Sequence, residues 1–513
     1  MDQPTAQISD NSRRIARNTA ALYFRMFFLM IVSLLTARIV LNALGARDRG
    51  VYETVASFVS MMAIISGALS NAVSRFLTVE IGKGDPAATA RVFATANALL
   101  LLVSLGIVLL AEPLGIWYIG SVMNIPSERV AAAQWIFQFS LGTFVLNLMS
   151  VPYNACIISH EKMSAFALIG VAEGLLKLGV AFAIKWTSSD RLILYGLLLL
   201  LVALTVRIMY ALFCRRFFPE SRAGVHLYKE YSGSMFRFAG WNGLSSGIYM
   251  LNTHGATQLI NHFFGVLFNT MRGIGLSVEN MAKQFIVNVV LAINPQITKS
   301  YAAGDAGYSY SLVCKGIKYA FIIGFTIALP FLFEAEGILR IWLGSREVPD
   351  GTALFTRLGL LCMILDIGMN PMTIFIQATG DIKQYYIIHS VITALIFPLT
   401  WIAYLLGLPA YVYFIIFIAD YLVLDIAKLL IARYRFGFPL RMFCTETLLR
   451  ILPVAVIPLL VTWPVRALLP AGLWRLAAVL VTGFAAVGLS AYFFALTPGE
   501  RSWVGSKVKL RRK

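Results

Sequence analysis

Apolar stretches of roughly 20 residues, about fourteen of them, follow one another almost end to end along this 513-residue chain. That pattern leaves few folds open. A segment of that length covers roughly 30 Å of hydrocarbon, and inside a bilayer its backbone polar groups must be satisfied within a helix or a closed barrel. The apolar/polar alternation of a barrel strand is absent, so the spans are expected to be helices. The expected fold class is an all-α polytopic membrane protein with about 14 transmembrane helices. With 59% hydrophobic residues, 13% charged residues and a mean hydropathy of +0.76, a water-soluble fold could not cover its apolar surface.

The expected spans are Asn18–Leu44, Val51–Val79, Ala88–Ala111, Val130–Val151, Met163–Ile184, Leu192–Phe213, Phe236–Phe264, Leu267–Ile293, Lys315–Phe333, Thr352–Ala378, Tyr385–Leu406, Pro409–Ile431, Leu448–Leu468 and Leu473–Ala495. The longest connection, near Cys214–Met235, is too short for a soluble catalytic domain. Arg13, Arg14 and Arg17 precede the first apolar run, but that run contains Arg25 and Arg38 and lacks a small-residue cleavage site, so it is expected to be retained.

The net charge of +18 is explained by topology without invoking nucleic acid. Lys and Arg divide roughly 24 to 8 in favour of the termini and even-numbered loops, which places both termini in the cytoplasm. The basic tail Lys507–Lys513 is read either as lying on anionic headgroups or as a stop-transfer flank. Five scattered cysteines, Cys156, Cys214, Cys314, Cys362 and Cys444, give no pair with metal-ligand spacing and require no disulfide. His160-Glu161 is not a zinc helix, because position 164 is Ser164. No phosphate-cradling loop and no nucleophile–base order is present, so neither an enzyme activity, a metal nor a cofactor is expected.

Shifting the chain by 220 residues superposes Gly45 on Gly265 and Gly84-Asp85 on Gly304-Asp305. Both turns of the first span pair thus meet those of the seventh and eighth. Both copies start on the same side, so the repeat is parallel, as in transporters built from two lobes. The expected division is 1–220 and 221–440, six helices each, followed by 441–513 with two helices and the tail.

Ionisable residues inside apolar spans cost about 3 kcal/mol each at mid-bilayer unless paired or hydrated. Arg25, Arg272, Arg207 and Arg357 fall within spans, and a set of guanidinium groups with few acids suits an anionic ligand; snorkelling or structural ion pairs are the alternative. Arg38, nearer the outer end, is a further substrate candidate or a partner of Asp48 or Glu53. Glu173/Lys177 and Glu279/Lys283 are spaced to pair along one helix. Asp366 and Asp420 have no cation nearby in sequence and are ion-coupling candidates, as is Glu53, or else hydrogen-bonded structural acids. The seventh span carries Trp241, Asn242, Ser245, Ser246, Tyr249, Asn252, His254 and Gln258. It is too polar to face lipid and is expected to line a cavity or lobe seam, with Asn242, Tyr249, Asn252, His254 and Gln258 as sugar contacts, or to hydrogen-bond neighbouring helices. Asn294-Pro295 is expected to end the eighth helix, and Asn370-Pro371 and Pro398 to kink the tenth and eleventh.

Several stretches carry a family resemblance: NTAALYFRMFFLMIVSLLTAR (Asn18–Arg38), VLNALGARDRGVY (Val40–Tyr52), LSNAVSRFLTVEIGKGD (Leu69–Asp85), YNACIISHEKMSAF (Tyr153–Phe166), FAGWN (Phe238–Asn242) and AINPQITKSYAAGD (Ala292–Asp305). Over most of Asn18–Ile431 the chain resembles the polysaccharide-transporter branch of the multidrug/oligosaccharidyl-lipid/polysaccharide (MOP) exporters, in particular the O-antigen or capsule repeat-unit (Wzx-type) flippases. Arg49 stands where that family often has Tyr. The resemblance implies two six-helix lobes and alternating access that carries an undecaprenyl-diphosphate-linked oligosaccharide from the inner to the outer leaflet of a bacterial inner membrane. In the related lipid II flippases, cations of the first and eighth helices serve the diphosphate, and Arg25 and Arg272 fall in the corresponding helices. Membrane lipids and glycan polymerases are the expected partners. The rival expectations are a drug/cation antiporter of the same superfamily, which would favour carboxylates in its cavity, and a membrane glycan polymerase or ligase, for which the outer loops are short.

Overall fold

The computed structural model describes residues 3–160, 162–187, 189–344, 348–381 and 383–502, with side chains described from Phe24 onward except at 64, 65, 68, 71, 238–246, 249, 288, 289, 291 and 292. Among these residues all regular structure is helical, and ten helices are long and apolar enough to cross a bilayer. The expected second, seventh, eighth and twelfth spans are not among the ten. They are the spans that carry turns or several charges, such as Arg272, Glu279 and Lys283 in the eighth. The chain is a multi-pass membrane protein. By packing it divides into two compact units, Met1–Thr270 and Met271–Lys513.

The first unit begins with α1 (Gln3–Ser60), which turns at Gly45 (φ 78°, ψ 167°). That backbone favours glycine, which lacks the Cβ that clashes at positive φ. Arg49 Nη1 donates to the Ala37 carbonyl at 2.9 Å and so ties the two arms of the turn. Arg49 therefore has a structural task. A second break at Met61 and Met62 separates α1 from α2 (Ala63–Lys83), so the second span is two pieces. Then come α3 (Pro86–Ser121), α4 (Val130–Ser159), α5 (Met163–Ala183) and α6 (Arg191–Phe217). Arg129 bridges Asp48 (2.7 Å) and Asp190 (2.6 Å), joining the Gly45 turn to the start of α6, where Asp190 also caps the helix.

The seventh span consists of α7 (Lys229–Met250), a π turn (Leu251–Gly255) and α8 (Ala256–Phe264). It belongs to the first unit because its polar groups bond into α1. Gln258 Nε2 donates to the Thr54 carbonyl and to Ser57 Oγ, both at 2.9 Å. Ser57 Oγ donates to the His254 carbonyl at 3.3 Å. Beyond Gly265, Asn269 donates to Thr54 Oγ1 at 2.7 Å and Thr270 to the Ala46 carbonyl at 2.6 Å. A packing boundary at 270 thus falls later than the repeat boundary expected at 220, because side-chain hydrogen bonding holds the seventh span to the first.

The second unit contains α9 from Met271 onward (α9 as a whole is Val266–Ala302), α10 (Ala306–Leu343), α11 (Thr352–Gly368), α12 (Asn370–Ala378), α13 (Lys383–Ala394), α14 (Ile396–Leu405), α15 (Val412–Phe436), a short α16 (Leu440–Phe443), α17 (Leu449–Leu468) and α18 (Leu473–Ser490). The break expected at Asn370-Pro371 lies between α11 and α12. The break near Pro398 falls three residues earlier, at Leu395, where the clash of the proline ring with the carbonyl of the preceding turn is relieved. The expected end of the eighth helix at Asn294-Pro295 is corrected: α9 continues through Pro295 to Ala302. At one end of this unit Phe375 makes edge-on contacts with Tyr301, Tyr310 and Phe436. The last two long helices are fastened to α10 by ion pairs. Arg475 Nε lies 2.7 Å from Glu334, and the almost fully buried Lys318 lies 3.2 Å from Glu500 and donates to the Ala495 carbonyl at 2.9 Å.

The 220-residue repeat recurs in backbone detail. Gly45 and Gly265 share φ near 80° with extended ψ. Gly84 and Gly304 have φ of 71° and 82°. Asp85 and Asp305 each cap the next helix through its third backbone N–H, from Ala88 and Tyr308.

Candidate functional site

In the first unit, Arg25 of α1 lies half-buried against α5. Its guanidinium sits 4.4 Å from the Phe166 ring centroid. Gly170 makes room for it: a Cβ there would stand 2.3 Å from Arg25 Nε. Nε is buried and has no hydrogen-bond partner among the described residues, and no described carboxylate pairs with the group. The arithmetic is unfavourable for a purely structural role. An arginine at mid-bilayer costs about 3 kcal/mol, and a cation–π contact returns about 1–2 kcal/mol. The same quarter of the unit holds Tyr210, on which the charges of both Arg25 and Glu173 act. Arg207 of α6 repeats the pattern, with its guanidinium 4.2 Å over Tyr153 and a buried Nη1 that has no hydrogen-bond partner among the described residues.

A cavity of about 360 Å³ lies within this unit, lined on one side by Ser140, Thr143 and Asn147 of α4 and on another by Glu173 and Lys177 of α5. Glu173 and Lys177 pair at 2.6 Å, as their spacing suggests. Sequence reasoning missed this cavity. Its signal was the polar stripe Ser140, Thr143, Asn147, at helical spacing on α4. A second opening, about 490 Å³, lies between α2 and α7 and carries Arg75, Lys83 and Arg237. It is a basic groove beside the Gly84 turn, with Glu80 paired to Lys83 at 2.8 Å.

In the second unit, Arg272 is buried, with its guanidinium 5.2 Å from the Tyr413 ring centroid and Nη2 3.4 Å from the Tyr413 hydroxyl. Its surroundings are dense in charge. Lys283, Arg272 and Asp366 all act electrostatically on Glu279. Asp366, expected to lack a cation, is paired with Lys283 at 2.6 Å across helices. Lys283 is thus bonded across to α11 while its charge also acts on Glu279 of its own helix. Asp425 and Lys428 pair at 2.9 Å in α15, and Asp366 acts on Asp425 too. Asp420, also in α15, is buried, and its Oδ2 has no hydrogen-bond partner among the described residues.

The remaining candidates are scattered. Arg38 is exposed on α1. The partners suggested for it are taken, Asp48 by Arg129 and Glu53 by Arg49 at 3.7 Å. Arg357 pairs with Glu336 at 3.0 Å. Gln258 bonds into α1, Asn252 is buried and His254 is half-buried in the π turn. The side chains of Asn242 and Tyr249 lie outside the described residues.

No protein-family model and no curated protein sequence matches the chain. Solved structures do. An inward-facing multidrug resistance MATE family transporter of the MOP superfamily superposes with a TM-score of 0.64 at 15% identity, covering 80% of this chain and 94% of that one. The lipid II flippase MurJ, in an inward closed conformation, superposes with a TM-score of 0.67 at 12% identity, covering 93% of this chain and 98% of that one. A MOP superfamily transporter from Pyrococcus furiosus, described as having a binding pocket of reversed polarity, gives 0.55 at 15% identity over 80% of this chain and 95% of that one. The chain therefore has the fold of MOP superfamily transporters.

Proposed function

We propose that this protein is a lipid-linked oligosaccharide flippase. It moves an undecaprenyl-diphosphate-linked glycan repeat unit from the inner to the outer leaflet of a bacterial inner membrane by alternating access, with both termini in the cytoplasm. The observation that carries the reading is Arg25: a half-buried guanidinium with an aromatic on one side, a glycine on the other and no described carboxylate to neutralise it. A diphosphate is the complement such a group lacks, since arginine binds phosphate through two parallel hydrogen bonds. Arg272 serves as a second contact on the headgroup's route. The basic groove at Arg75, Lys83 and Arg237 receives the headgroup first. Arg207, Arg38, Asn242, Tyr249, Asn252 and His254 remain candidates for the glycan. The superposition on a lipid flippase over 93% of the chain, against 80% for a drug transporter, supports the same choice.

Asp420 is the coupling group we favour over Asp366 and Glu53, because those two already have cationic partners. The drug/cation antiporter reading draws on the acids of the second unit. It is weakened by their pairing with Lys283 and Lys428. The test is reconstitution in liposomes with an undecaprenyl-diphosphate oligosaccharide in one leaflet, with and without a proton or sodium gradient. Wild-type protein should expose the glycan to an external lectin, and Arg25→Ala should slow exposure about 10- to 100-fold, the equivalent of one or two charge-assisted hydrogen bonds. Export of organic cations without glycan exposure would establish the antiporter instead.

A further inference from the structure

Four side chains that sequence spacing kept apart meet at the end of α4. Cys156 lies in its last turn, and His160 is the residue just past its end. Glu220 comes from the 3-10 turn Pro219–Arg222 that follows α6. The ligand atoms of these three lie within 4.8 Å of one another: Cys156 Sγ is 3.4 Å and His160 Nε2 is 2.5 Å from the same Glu220 oxygen. Cys214, in the last turn of α6, shares a side-chain hydrogen bond with Cys156 and also contacts the Tyr153 carbonyl at 3.5 Å. Both thiols are fully buried, and Glu220 is 9% exposed.

This is an odd place for a carboxylate. Among the described residues no Lys or Arg pairs with Glu220; it is met by the Cys156 thiol and the His160 imidazole. A buried carboxylate without a fixed cation is costly. A divalent ion would satisfy the carboxylate, the thiolates and the imidazole together. The donor set, two sulfurs, one nitrogen and one oxygen, is that of four-coordinate zinc. Around zinc the S···O separation is roughly 3.5 Å and the N···O separation roughly 3.3 Å. The first matches the distance found, and the second requires His160 and Glu220 to part by about 1 Å. His160 is half-exposed, with its ring stacked on Phe218 at 4.3 Å, so it can move along that face.

We propose that Cys156, His160 and Glu220, whose ligand atoms already converge, form a structural zinc site completed by Cys214 turning its thiol in from beside Cys156, which staples the end of α4 to the end of α6 and to the segment leading into α7. Nothing in the transport reading requires or supplies it. The competing arrangements are a metal-free hydrogen-bonded cluster and a Cys156–Cys214 disulfide.

The test is the metal content of the full-length protein purified in detergent under reducing conditions with zinc present during expression. The expected result is about one zinc per chain, lost in Cys156→Ser, His160→Ala and the near-isosteric Glu220→Gln, and kept in Cys314→Ser and Cys362→Ser. Cobalt loaded in place of zinc should give a sulfur-to-metal charge-transfer band in the wild type that disappears in the Cys156→Ser/Cys214→Ser double variant. Gel filtration of Glu220→Gln checks that loss of metal is not loss of fold. Zinc content equal in wild type and Glu220→Gln, a cobalt spectrum with no thiolate band, or an intact mass showing the two cysteines oxidised to each other would each overturn the proposal.

Discussion

Two arginines set in helices, one in each unit, the half-buried Arg25 and the buried Arg272, sit in opposite surroundings. Arg25 has an aromatic face, a glycine gap and no described acid. Arg272 has the Tyr413 ring and hydroxyl, with Glu279, Lys283 and Asp366 in electrostatic reach. From sequence the two are equivalent, each a guanidinium in an apolar helix. Structure separates them. Where protein groups already balance a charge, its first role is to hold helices together. Where they leave it unbalanced, the missing counter-charge must come from water or ligand, because a cation–π contact covers only part of the cost.

The largest contrast should be in stability. Lys283→Met leaves Asp366 without its cation and should destabilise the protein by about 2–3 kcal/mol, below the roughly 3–5 kcal/mol of a fully buried pair because both groups keep some exposure. Lys283→Met combined with Asp366→Leu should recover most of that loss. Arg25→Ala should change stability by less than about 1 kcal/mol. Unfolding midpoints in detergent measure all three, and equal losses for Arg25→Ala and Lys283→Met would erase the distinction between the units.

A smaller and sharper effect is expected at Gly170. Alanine there would press on the far end of the Arg25 side chain, which can swing away, so the fold should hold while the guanidinium is displaced. Glycan flipping should fall several-fold, roughly the loss of one hydrogen bond, with the melting temperature unchanged. Unchanged flipping would place the functional atoms of Arg25 elsewhere.

The smallest effect concerns the junction after the last span. Burial alone would raise the Glu500 carboxyl, but hydrogen bonds from the Thr497 backbone and the Tyr319 hydroxyl, with the charge of Lys318, outweigh it and hold the group at about 2. Its folded-state value is therefore below its unfolded one. The stability it contributes is complete above about 4.5 and is lost as the pH falls toward about 2. Glu500→Gln should be less stable than wild type at neutral pH, and the two melting curves should converge on acidification. A constant gap across that range would remove Glu500 from the account.

What was legible in the sequence was local. The Gly45/Gly265 and Gly84/Gly304 turns could be read because a backbone at positive φ selects glycine, and Asp85 and Asp305 because a helix start selects a capping acid. The pair Glu173/Lys177 could be read because both lie on one helix. Lys283 and Asp366, 83 residues apart, could not, and neither could the convergence of Glu220 on Cys156 and His160, which depends on where α6 ends. The polar character of the seventh span was plain, but its partner, α1, is set by packing. Arg25 itself was legible as an anomaly, since an arginine in an apolar run needs a reason. The absence of a described acid beside it needed the fold.

The most direct test of the central claim is the affinity of the purified protein for an undecaprenyl-diphosphate oligosaccharide, measured in detergent for wild type, Arg25→Lys and Arg25→Ala. The account predicts about a tenfold or greater loss for Arg25→Ala and a smaller loss for Arg25→Lys, which keeps the charge but not the paired hydrogen bonds. An affinity unchanged by either substitution would contradict it.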